Sequence, residues 1–491
     1  MATVKIDQFG GIAPRQHPTQ LADGMAVTAH NCRLKTGKLV PLREPKVVDE
    51  LVFRMQGGLE EIKDAKSMHV WRTPIGDLEL LLFPGVTWMA PGNVADDEQT
   101  RVVVSGDMNG DGAADEPTLY IREKGLYFTY PIRKDPLPAP VASRESESPL
   151  DGEVRYTRFF VTWVDANGME SPVSPPSLVK DGDENVEDDL KYIDGDEVSL
   201  VVEDVENNGD MQLFRVYKVV TGTEAGRIQF VREFGIDAYD GEKQLISMRF
   251  AVKDEDAGEI MPEIEAPPAD LSCIHDVPGA FYVGFAPSMP KTVCFSDIDL
   301  LYSWPIAYRY DVADNLVALA VTSNSVFALT EGWPYVISGT APESMSVAKL
   351  AGPAACVSAR GVCVYRNAVY FVSNQGLMTI YNSADAGTVC QNLTDKIFTK
   401  DQWLALNPSS CVMGQHDGAL FLYFAAPEGS VYTLRFIDPN GVLNMEHARH
   451  IGLTIDLMEN AAIAVTTHDE AAKCLCVDVK EDKLYFVREE A

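Results

Sequence analysis

The sequence predicts an all-β fold, a β-propeller interrupted by an inserted β-sandwich. Short apolar runs alternate with turn residues throughout residues 277–340, which indicates strands of about five residues at hairpin spacing. Proline-rich stretches at 136–140 and 265–270 bracket a segment with about six further strands. The remaining chain, about 360 residues, is enough for seven or eight blades of roughly 40 to 45 residues each.

The N-terminal half contains turns and short strands. Asp23 and Gly24 predict a turn, residues 25–31 a short helical turn, and residues 36–38 a reversal between two strands. From residue 66 to residue 132 several apolar runs indicate the first propeller strands.

The segment between the prolines has its own pattern. Residues 156–165 alternate apolar and polar side chains, Asn167 and Gly168 make a turn, and further strands follow. This pattern resembles a fibronectin type III-like or immunoglobulin-like β-sandwich, with Trp163 and Tyr217 as core candidates.

Strands resume after residue 270 and continue almost to the end of the sequence. Residues 395–407 have Ile397, Trp403 and Leu404 at helical spacing, which predicts one short helix. The run at residues 483–488, KLYFVR, is expected to pair with an N-terminal strand and so close the ring, because closure removes exposed sheet edges.

Composition limits the possible functions. The formal charge is −32, with 73 acidic and 41 basic residues, so the chain does not suit proteins that wrap nucleic acid by neutralising phosphates. The charge fits either plain solubility or a channel wall past which DNA slides without sticking. No apolar run is long enough to span a bilayer and no signal peptide is evident, so we expect synthesis and assembly in a cytoplasm. Nine scattered cysteines predict no disulfide framework.

One loop has the spacing of a calcium site. Asp107, Asn109, Asp111 and Asp115 occupy positions 1, 3, 5 and 9, with Gly112 at position 6, which places oxygen ligands around a sharp bend. Position 12 is Thr118 where an EF-hand has glutamate, so the pattern indicates a strand-supported calcium loop. The alternative is a solvated hairpin tip.

No other motif indicates chemistry, and we expect the chain not to be an enzyme. The acidic run at 181–206 would be a glycosidase dyad only if two of its carboxylates shared an apolar pocket, and a solvated loop fits better. His447 and His450 lack a third ligand, and Cys474 and Cys476 lack a second cysteine pair. The sequence contains no phosphate-binding loop, nucleotide-binding glycine pattern or nucleophile motif.

Two blocks of the sequence resemble the virion tail proteins of short-tailed bacteriophages that are called nozzle, or tail tubular protein B-like, proteins. In residues 277–346 the matching residues are Cys294, Phe295, Ser296, Trp304, Pro305, Tyr308, Leu329, Thr330, Glu331, Gly332, Pro334, Tyr335, Gly339 and residues 342–346. In residues 5–45 they are Gly10, Gly11, Pro14, Arg15, Leu21, Asp23, Gly24, Ala26, Ala29, Asn31, Cys32, Gly37, Lys38, Leu39 and Pro41. The insert and residues 393–409 also resemble this family.

The resemblance implies a structural virion protein, the nozzle of a short tail. Its expected partners are copies of itself in a six-fold ring, the tail adaptor proteins, tail fibres or a spike, and DNA that passes through the lumen without specific binding. Its expected location is the virion tail after assembly in the host cytoplasm. The predicted organisation is an adaptor or ring-closing segment at 1–50, first propeller strands at 51–135, the inserted sandwich at 136–268 and the remaining blades at 269–491. Trp304, Pro305, Gly332, Trp333 and Pro334 are expected to anchor blades.

A second hypothesis belongs to another class, a calcium-dependent adhesin or carbohydrate-binding propeller on a particle surface. This function needs an exposed aromatic ring in a concave site, for which Trp88 and Trp333 are candidates. It also makes the Asp107 loop essential. A third hypothesis, a glycan-degrading enzyme, needs two carboxylates that converge in a pocket.

Overall fold

The computed structural model describes residues 8–48, 52–55, 65–72, 78–92, 100–123, 126–145, 150, 152–181, 184–207, 209–219, 227–253, 258–383, 387–432, 448–458 and 462–488. These residues form forty β-strands and one short α-helix. The protein is therefore all-β, which confirms the predicted fold class at this level.

The chain folds as two compact units. Unit 1 comprises residues 1–129, 269–299 and 309–491, and unit 2 comprises residues 130–268 and 300–308. The segment predicted as an insert, 136–268, falls within unit 2. The short stretch 300–308 belongs to unit 2 as well, although it lies among strands of unit 1 in the sequence.

The first strands of the chain build the beginning of unit 1. They are β1 (Gly11–Ile12), β2 (Met25–Ala26), β3 (Cys32–Arg33), β4 (Val40–Pro41), β5 (Val52–Met55), β6 (Ser67–Arg72), β7 (Leu78–Phe83), β8 (Thr87–Pro91), β9 (Val102–Gly106), β10 (Asp115–Glu123) and β11 (Leu126–Pro131). Strands β8 to β11 form an antiparallel sheet in chain order, whereas β5 pairs in parallel with β7, which pairs with β6. The helical turn predicted for 25–31 was wrong, because Met25 and Ala26 are strand β2.

Unit 2 contains two larger sheets around one core. Its strands are β12 (Val141–Arg144), β13 (Arg155–Thr157), β14 (Phe159–Asp165), β15 (Leu178–Asp181), β16 (Glu184–Val186), β17 (Leu190–Tyr192), β18 (Glu197–Val202), β19 (Met211–Val219), β20 (Ile228–Gly235), β21 (Tyr239–Asp240) and β22 (Leu245–Ala251). The sheets have the orders β16-β15-β12-β18-β22-β21 and β14-β19-β20, and β13 pairs with β17. Alternate residues of β18 and β22 join residues of β14 and β19 in one buried cluster. Trp163 and Tyr217 are both buried, as predicted.

The rest of unit 1 follows. Its strands are β23 (Ser272–Val277), β24 (Phe281–Phe285), β25 (Thr292–Phe295), β26 (Arg309–Asp311), β27 (Leu316–Val321), β28 (Val326–Thr330), β29 (Tyr335–Ser338), β30 (Ser346–Lys349), β31 (Val362–Tyr365), β32 (Ala368–Ser373), β33 (Gly376–Ser383), β34 (Gly387–Asn392), β35 (Val412–His416), β36 (Ala419–Ala425), β37 (His450–Leu457), β38 (Ile463–His468), β39 (Ala472–Asp478) and β40 (Lys483–Arg488). Short 3-10 turns occupy Pro18–Gln20, Lys35–Gly37, Ile236–Ala238, Ile306–Tyr308, Pro342–Ser344 and Pro408–Ser410.

Seven sheets of unit 1 meet through one edge strand each, and in five of them this strand is also the first strand of the sheet in the chain. Each sheet has one such strand at its edge, namely β6, β8, β23, β27, β31, β35 and β39. Each of these strands contacts the next in this order, and β39 contacts β6, so the contacts close a cycle. We name these seven strands the ring of first strands. The arrangement is propeller-like, because sheets radiate from a central set of strands.

The N-terminal part of the chain joins the far edge of the sheet that begins with β35. Strand β1 pairs in parallel with β38, and β2 pairs with β1. Gly11, with φ 82°, fits here because a Cβ would lie 2.3 Å from the carbonyl oxygen of Val465. Among the described strands, the prediction that residues 483–488 pair with an N-terminal strand was wrong. This segment is β40, which pairs with β39, and both pack near β6 and β7 around Met68, Leu82 and Cys474.

The predicted helix at 395–407 is present but shorter. It is α1 (Lys400–Leu404), which begins after Thr399, whose hydroxyl accepts the N–H of Gln402 in a capping box. Ile397 and Trp403 are buried, whereas Leu404 is exposed. The proline at 408 starts a 3-10 turn, so the helical pattern ends after little more than one turn of α-helix.

Trp304 is a core residue, but it belongs to unit 2. Its side chain is fully buried, its backbone N–H donates to the carbonyl oxygen of Glu265 at 2.7 Å, and its Nε1 donates to Leu301 at 2.8 Å. The prediction that it anchors a propeller blade was therefore wrong, because residues 300–308 leave unit 1 between β25 and β26.

All nine cysteines are free thiols. Within the described part of the chain, no helix is long and apolar enough to cross a membrane.

Candidate functional site

The ring of first strands borders a cavity of about 550 Å³. Its walls come from β8, β23, β27 and β31 and from the turns beside them. The polar and aromatic side chains that line it are Trp88, His275, Asp276, Thr322, Ser323 and Asn367. A cavity of this size, partly apolar with a few polar groups, has the general character of a small-molecule site.

A bulge in β23 places two reactive side chain types close together. Pairing of β23 with β24 shifts register between Ser272 and His275, and Cys273 within the bulge has φ 55°. The Cys273 sulfur lies 3.5 Å from Nε2 of His275 and accepts the N–H of Leu319 at 3.3 Å. Such a bulge re-aims side chains, which explains why His275 faces the cavity.

The electrostatics of this pair do not favour an ion pair. Burial raises the pKa of the Cys273 thiol to about 12 and lowers the pKa of His275 to about 4. Both shifts favour the neutral groups at pH 7, whereas a nucleophilic cysteine needs a lowered thiol pKa. Next to them, burial raises the pKa of the Asp276 carboxyl. The pair therefore fits a neutral wall of the cavity.

The remaining polar wall is fixed by hydrogen bonds. Ser323 donates both its backbone N–H and its hydroxyl to Oδ1 of Asn367, at 2.9 and 2.8 Å. These bonds leave the amide nitrogen of Asn367 as a donor in the cavity that the half-buried ring of Trp88 also lines. The sequence reasoning singled out Trp88 but missed His275, Asp276 and Asn367. The available signal was the polar pair His275 and Asp276 inside an otherwise apolar strand.

The predicted calcium loop is the tip of the hairpin between β9 and β10. Asp115 accepts the backbone N–H groups of Met108 and Asn109 and the side-chain amide of Asn109, at 2.6 to 3.0 Å. Asp107 accepts the N–H groups of Gly110 and Gly112, and Asp111 accepts that of Ala113. The structure thus brings the four predicted residues into one tight turn.

These hydrogen bonds are typical of aspartates that stabilise their own turn. Among the described residues, no group of three or more histidine, cysteine, aspartate or glutamate side chains is arranged to hold a metal ion. Calcium binding by Asp107, Asn109, Asp111 and Asp115 would require the carboxylates to exchange amide donors for the ion. It stays a prediction.

The other residues predicted for function lie in separate places. The Trp333 ring is half-buried and Nζ of Lys349 lies 4.0 Å from its centroid, so a cation already covers one face. Pro334 beside it is buried.

In the acidic run at 181–206, Asp189 pairs with Arg158 and Asp196 with Arg144. Strands β15 to β18 occupy much of the segment that was expected to be a loop. His447 lies outside the described residues.

No protein-family model matches the sequence, and neither does any curated protein. Solved structures that are similar include virginiamycin B lyase from Staphylococcus aureus, at 10% identity over 82% of this chain and 96% of the lyase, with a TM-score of 0.28. Another is apo AztD from Citrobacter koseri, at 12% identity over 67% of this chain and 76% of AztD, with a TM-score of 0.27.

Proposed function

We propose that the protein is a structural virion component, the nozzle ring at the end of a short phage tail. It serves as a conduit for genome ejection and as a platform for fibres or a spike, and it is not an enzyme. The proposal rests on the sequence blocks at 5–45 and 277–346 that resemble the nozzle family.

The resembling residues have structural roles that suit a scaffold. The Ser296 hydroxyl accepts the N–H of Tyr282 at 2.9 Å, and the Thr330 hydroxyl accepts the N–H of Gly332 and donates to the carbonyl oxygen of Trp333. In the N-terminal block, Asn31 has φ 51° and donates to Asp469 at 2.7 Å. These residues hold turns and strand ends in place, as expected for a family whose common feature is an assembly scaffold.

The finer architecture belongs to the same proposal. Unit 1 is a seven-bladed β-propeller whose ring of first strands surrounds the axis, and unit 2 is a fibronectin III-like sandwich inserted between β11 and β23. The cyclic contacts of the first strands support the propeller, and the shared core of two sheets supports the sandwich.

Net charge suits a conduit. Six copies in a ring carry about 190 formal negative charges, six times the charge of one chain, so acidic groups that face the lumen repel a DNA duplex. The same repulsion acts between subunits, so salt, divalent ions or the adaptor ring are expected to promote assembly.

Light scattering and negative-stain microscopy of the purified chain, alone and mixed with the portal and adaptor proteins of its virion, test the proposal. A six-fold ring with an axial hole, formed alone or on the adaptor, is the expected result. A monomer that does not bind the adaptor under any salt or divalent-ion condition would contradict it.

A carbohydrate-binding function is the second candidate, favoured by one observation. The half-buried ring of Trp88 lies in the same cavity as Asn367 and Ser323, and an aromatic face beside amide and hydroxyl groups is suited to a sugar ring. A glycan array probed with the wild-type chain and with Trp88→Ala separates the two candidates. Binding that is lost in Trp88→Ala supports the adhesin, and an array without binding removes it.

A further inference from the structure

A second cavity of unit 1 lies where several first strands begin, and its walls are basic. It has a volume of about 480 Å³. Lys66 directly precedes β6, Arg360 lies two residues before β31, and Lys473 is the second residue of β39. His450, at the start of β37, completes the wall. We name this site, defined by Lys66, Arg360, His450 and Lys473, the basic cavity.

Arg360 is the central cation of the basic cavity. Its Nη1 donates to the carbonyl oxygens of Lys66 at 3.3 Å and of Lys473 at 2.9 Å, so the guanidinium links the segments that lead into β6 and β39. A guanidinium has five N–H donors, and both bonds use Nη1. The donors on Nε and Nη2 are left for another acceptor.

The charge of Arg360 lacks a carboxylate partner among the described residues. Its hydrogen bonds go to neutral carbonyl groups, and burial lowers the pKa of its guanidinium. A partly buried cation without a counter-charge is unfavourable, which makes the site receptive to an anion. Arg33, another arginine of unit 1 with little exposure, has the carboxylate of Asp456 beside it.

Further positive charge surrounds Arg360, although the whole chain carries −32. The side chain of Lys66 is exposed and that of Lys473 is half-buried. Burial and, to a smaller extent, the carboxylate of Glu470 raise the pKa of Tyr423, a wall residue, and Oε2 of Glu470 lies 3.4 Å from Nε of Arg488. Gly110 also lines the cavity, so the tip of the β9–β10 hairpin lies at its rim. In this tip the carboxylates of Asp107 and Asp115 accept backbone N–H groups of their own loop.

We propose that the basic cavity binds a phosphate group. A guanidinium with free donors on two nitrogens matches two oxygens of a tetrahedral oxyanion, and the ammonium groups of Lys66 and Lys473 supply point charges for a dianion. The cavity is many times larger than the roughly 30 Å³ that one water occupies in the liquid, so it holds the group with some of its waters. The bound group is either inorganic phosphate or the phosphate ester of a small molecule such as a nucleotide.

Isothermal titration of the full chain at constant ionic strength tests this site, with inorganic phosphate, a nucleoside 5′-monophosphate and acetate as probes. Saturable binding of phosphate at one site per chain is expected, with acetate at least about tenfold weaker because it carries one charge. Tighter binding of the nucleotide than of phosphate identifies an ester as the ligand, and the reverse order identifies the free ion. Acetate binding equal to that of phosphate, or no binding of either phosphate probe, overturns the proposal.

Charge-matched variants locate the site. Arg360→Gln is expected to weaken phosphate binding by about tenfold or more, and Lys66→Gln by about threefold, since Lys66 lies at the exposed side. Arg366→Gln removes the same charge just beyond the other end of β31, where Arg366 lies over the Tyr365 ring, and is expected to leave binding unchanged. Lys66→Gln removes no hydrogen bond that the structure shows for its side chain, so it serves if Arg360→Gln does not fold. Equal weakening by Arg366→Gln would show a general charge effect and refute the site.

Discussion

The guanidinium of Arg33 and the carboxylate of Asp456 form a buried ion pair. Nε of Arg33 donates to Oδ1 at 2.7 Å and Nη2 lies 2.6 Å from the same oxygen, while Oδ2 accepts the N–H of Leu34 at 2.8 Å. Both side chains are almost inaccessible to solvent. One carboxylate of β37 thereby holds β3, and with it the N-terminal segment of the chain, on the sheet that begins with β35.

Asp456→Asn is expected to lower the free energy of unfolding by about 3 kcal/mol, because it leaves the buried guanidinium of Arg33 with only the more distant carboxylate of Asp417, 3.8 Å from Nη1. Urea denaturation measures the change, and limited proteolysis is expected to cut first within residues 8–42. Glu343→Gln makes the same charge change at an exposed side chain for which the structure shows no partner. The two variants unfolding at the same urea concentration would contradict the structural role of the pair.

Trp304→Ala is expected to destabilise unit 2 by about 3 to 5 kcal/mol, because it empties a fully buried indole site and removes the Nε1 hydrogen bond to Leu301. Trp304→Phe keeps most of the buried volume and is expected to lose less. Denaturation curves of both variants measure the difference. A Trp304→Ala protein as stable as the wild type would remove this residue from the core.

Stability is expected to fall as the pH drops from about 6.5 to about 4. Burial lowers the pKa values of His69, His275 and His468 from 6.5 to about 4. The unfolded chain therefore binds protons in this window that the folded chain does not bind, and each such histidine contributes a slope of up to ~1.4 kcal/mol per pH unit. The contribution is fully present above pH 6.5.

Nuclear magnetic resonance titration of the histidine ring protons checks the cause of this pH dependence. The signals of His69, His275 and His468 are expected to stay those of neutral imidazole at pH 5.5. Aspartates with lowered pKa values, such as Asp196 and Asp417, lose their contribution only at lower pH, so the two effects are separable. Midpoints near 6.5 for all three histidines would show that burial does not control them.

The hairpin tip at residues 107–115 is expected to be stable without calcium. Its carboxylates accept backbone N–H groups, so neither a chelator nor millimolar calcium should shift the melting temperature. Asp115→Ala, which removes three hydrogen bonds of the turn, is expected to lower it. A calcium-dependent rise in the wild type that Asp115→Ala abolishes would establish the ion site, and with it the main requirement of the adhesin hypothesis.

Local patterns in the sequence predict much of this fold. The apolar run in residues 156–165 becomes β14, which is buried on both faces, and Trp163 joins the core cluster of unit 2. Tyr217 is buried as well, with its hydroxyl donating to Glu170. The capping residue Thr399 fixes the start of the one predicted helix. The number of strands per sheet and the closure of the ring are not local properties.

Pairing between distant segments could not be predicted. Residues 483–488 and the N-terminal strands each have backbone N–H and C=O groups along a strand edge that need hydrogen-bonding partners. Their residue types do not specify which strand provides those partners. The residues of the two candidate cavities could not be predicted from the sequence for the same reason. His275, Arg360 and Lys66 acquire a role only because strands far apart in the chain begin or bulge at neighbouring points, whereas the Asp107 loop was recognisable since all its residues are consecutive.

The pairing of strand β1 also determines how late in synthesis the N-terminal segment can reach its final place in the sheet. Gly11 pairs with Val465, so the partner of the N-terminal strand emerges more than 450 residues after it. At the usual ribosomal rate of about 5 to 20 residues per second, the wait is roughly 20 to 90 seconds. Throughout that interval the N-terminal segment has no sheet to join, while earlier sheets such as β8 to β11 can already form. The six-stranded sheet that contains β1 and β38 is therefore completed late, and residues 8–33 are exposed to chaperones and proteases during this wait.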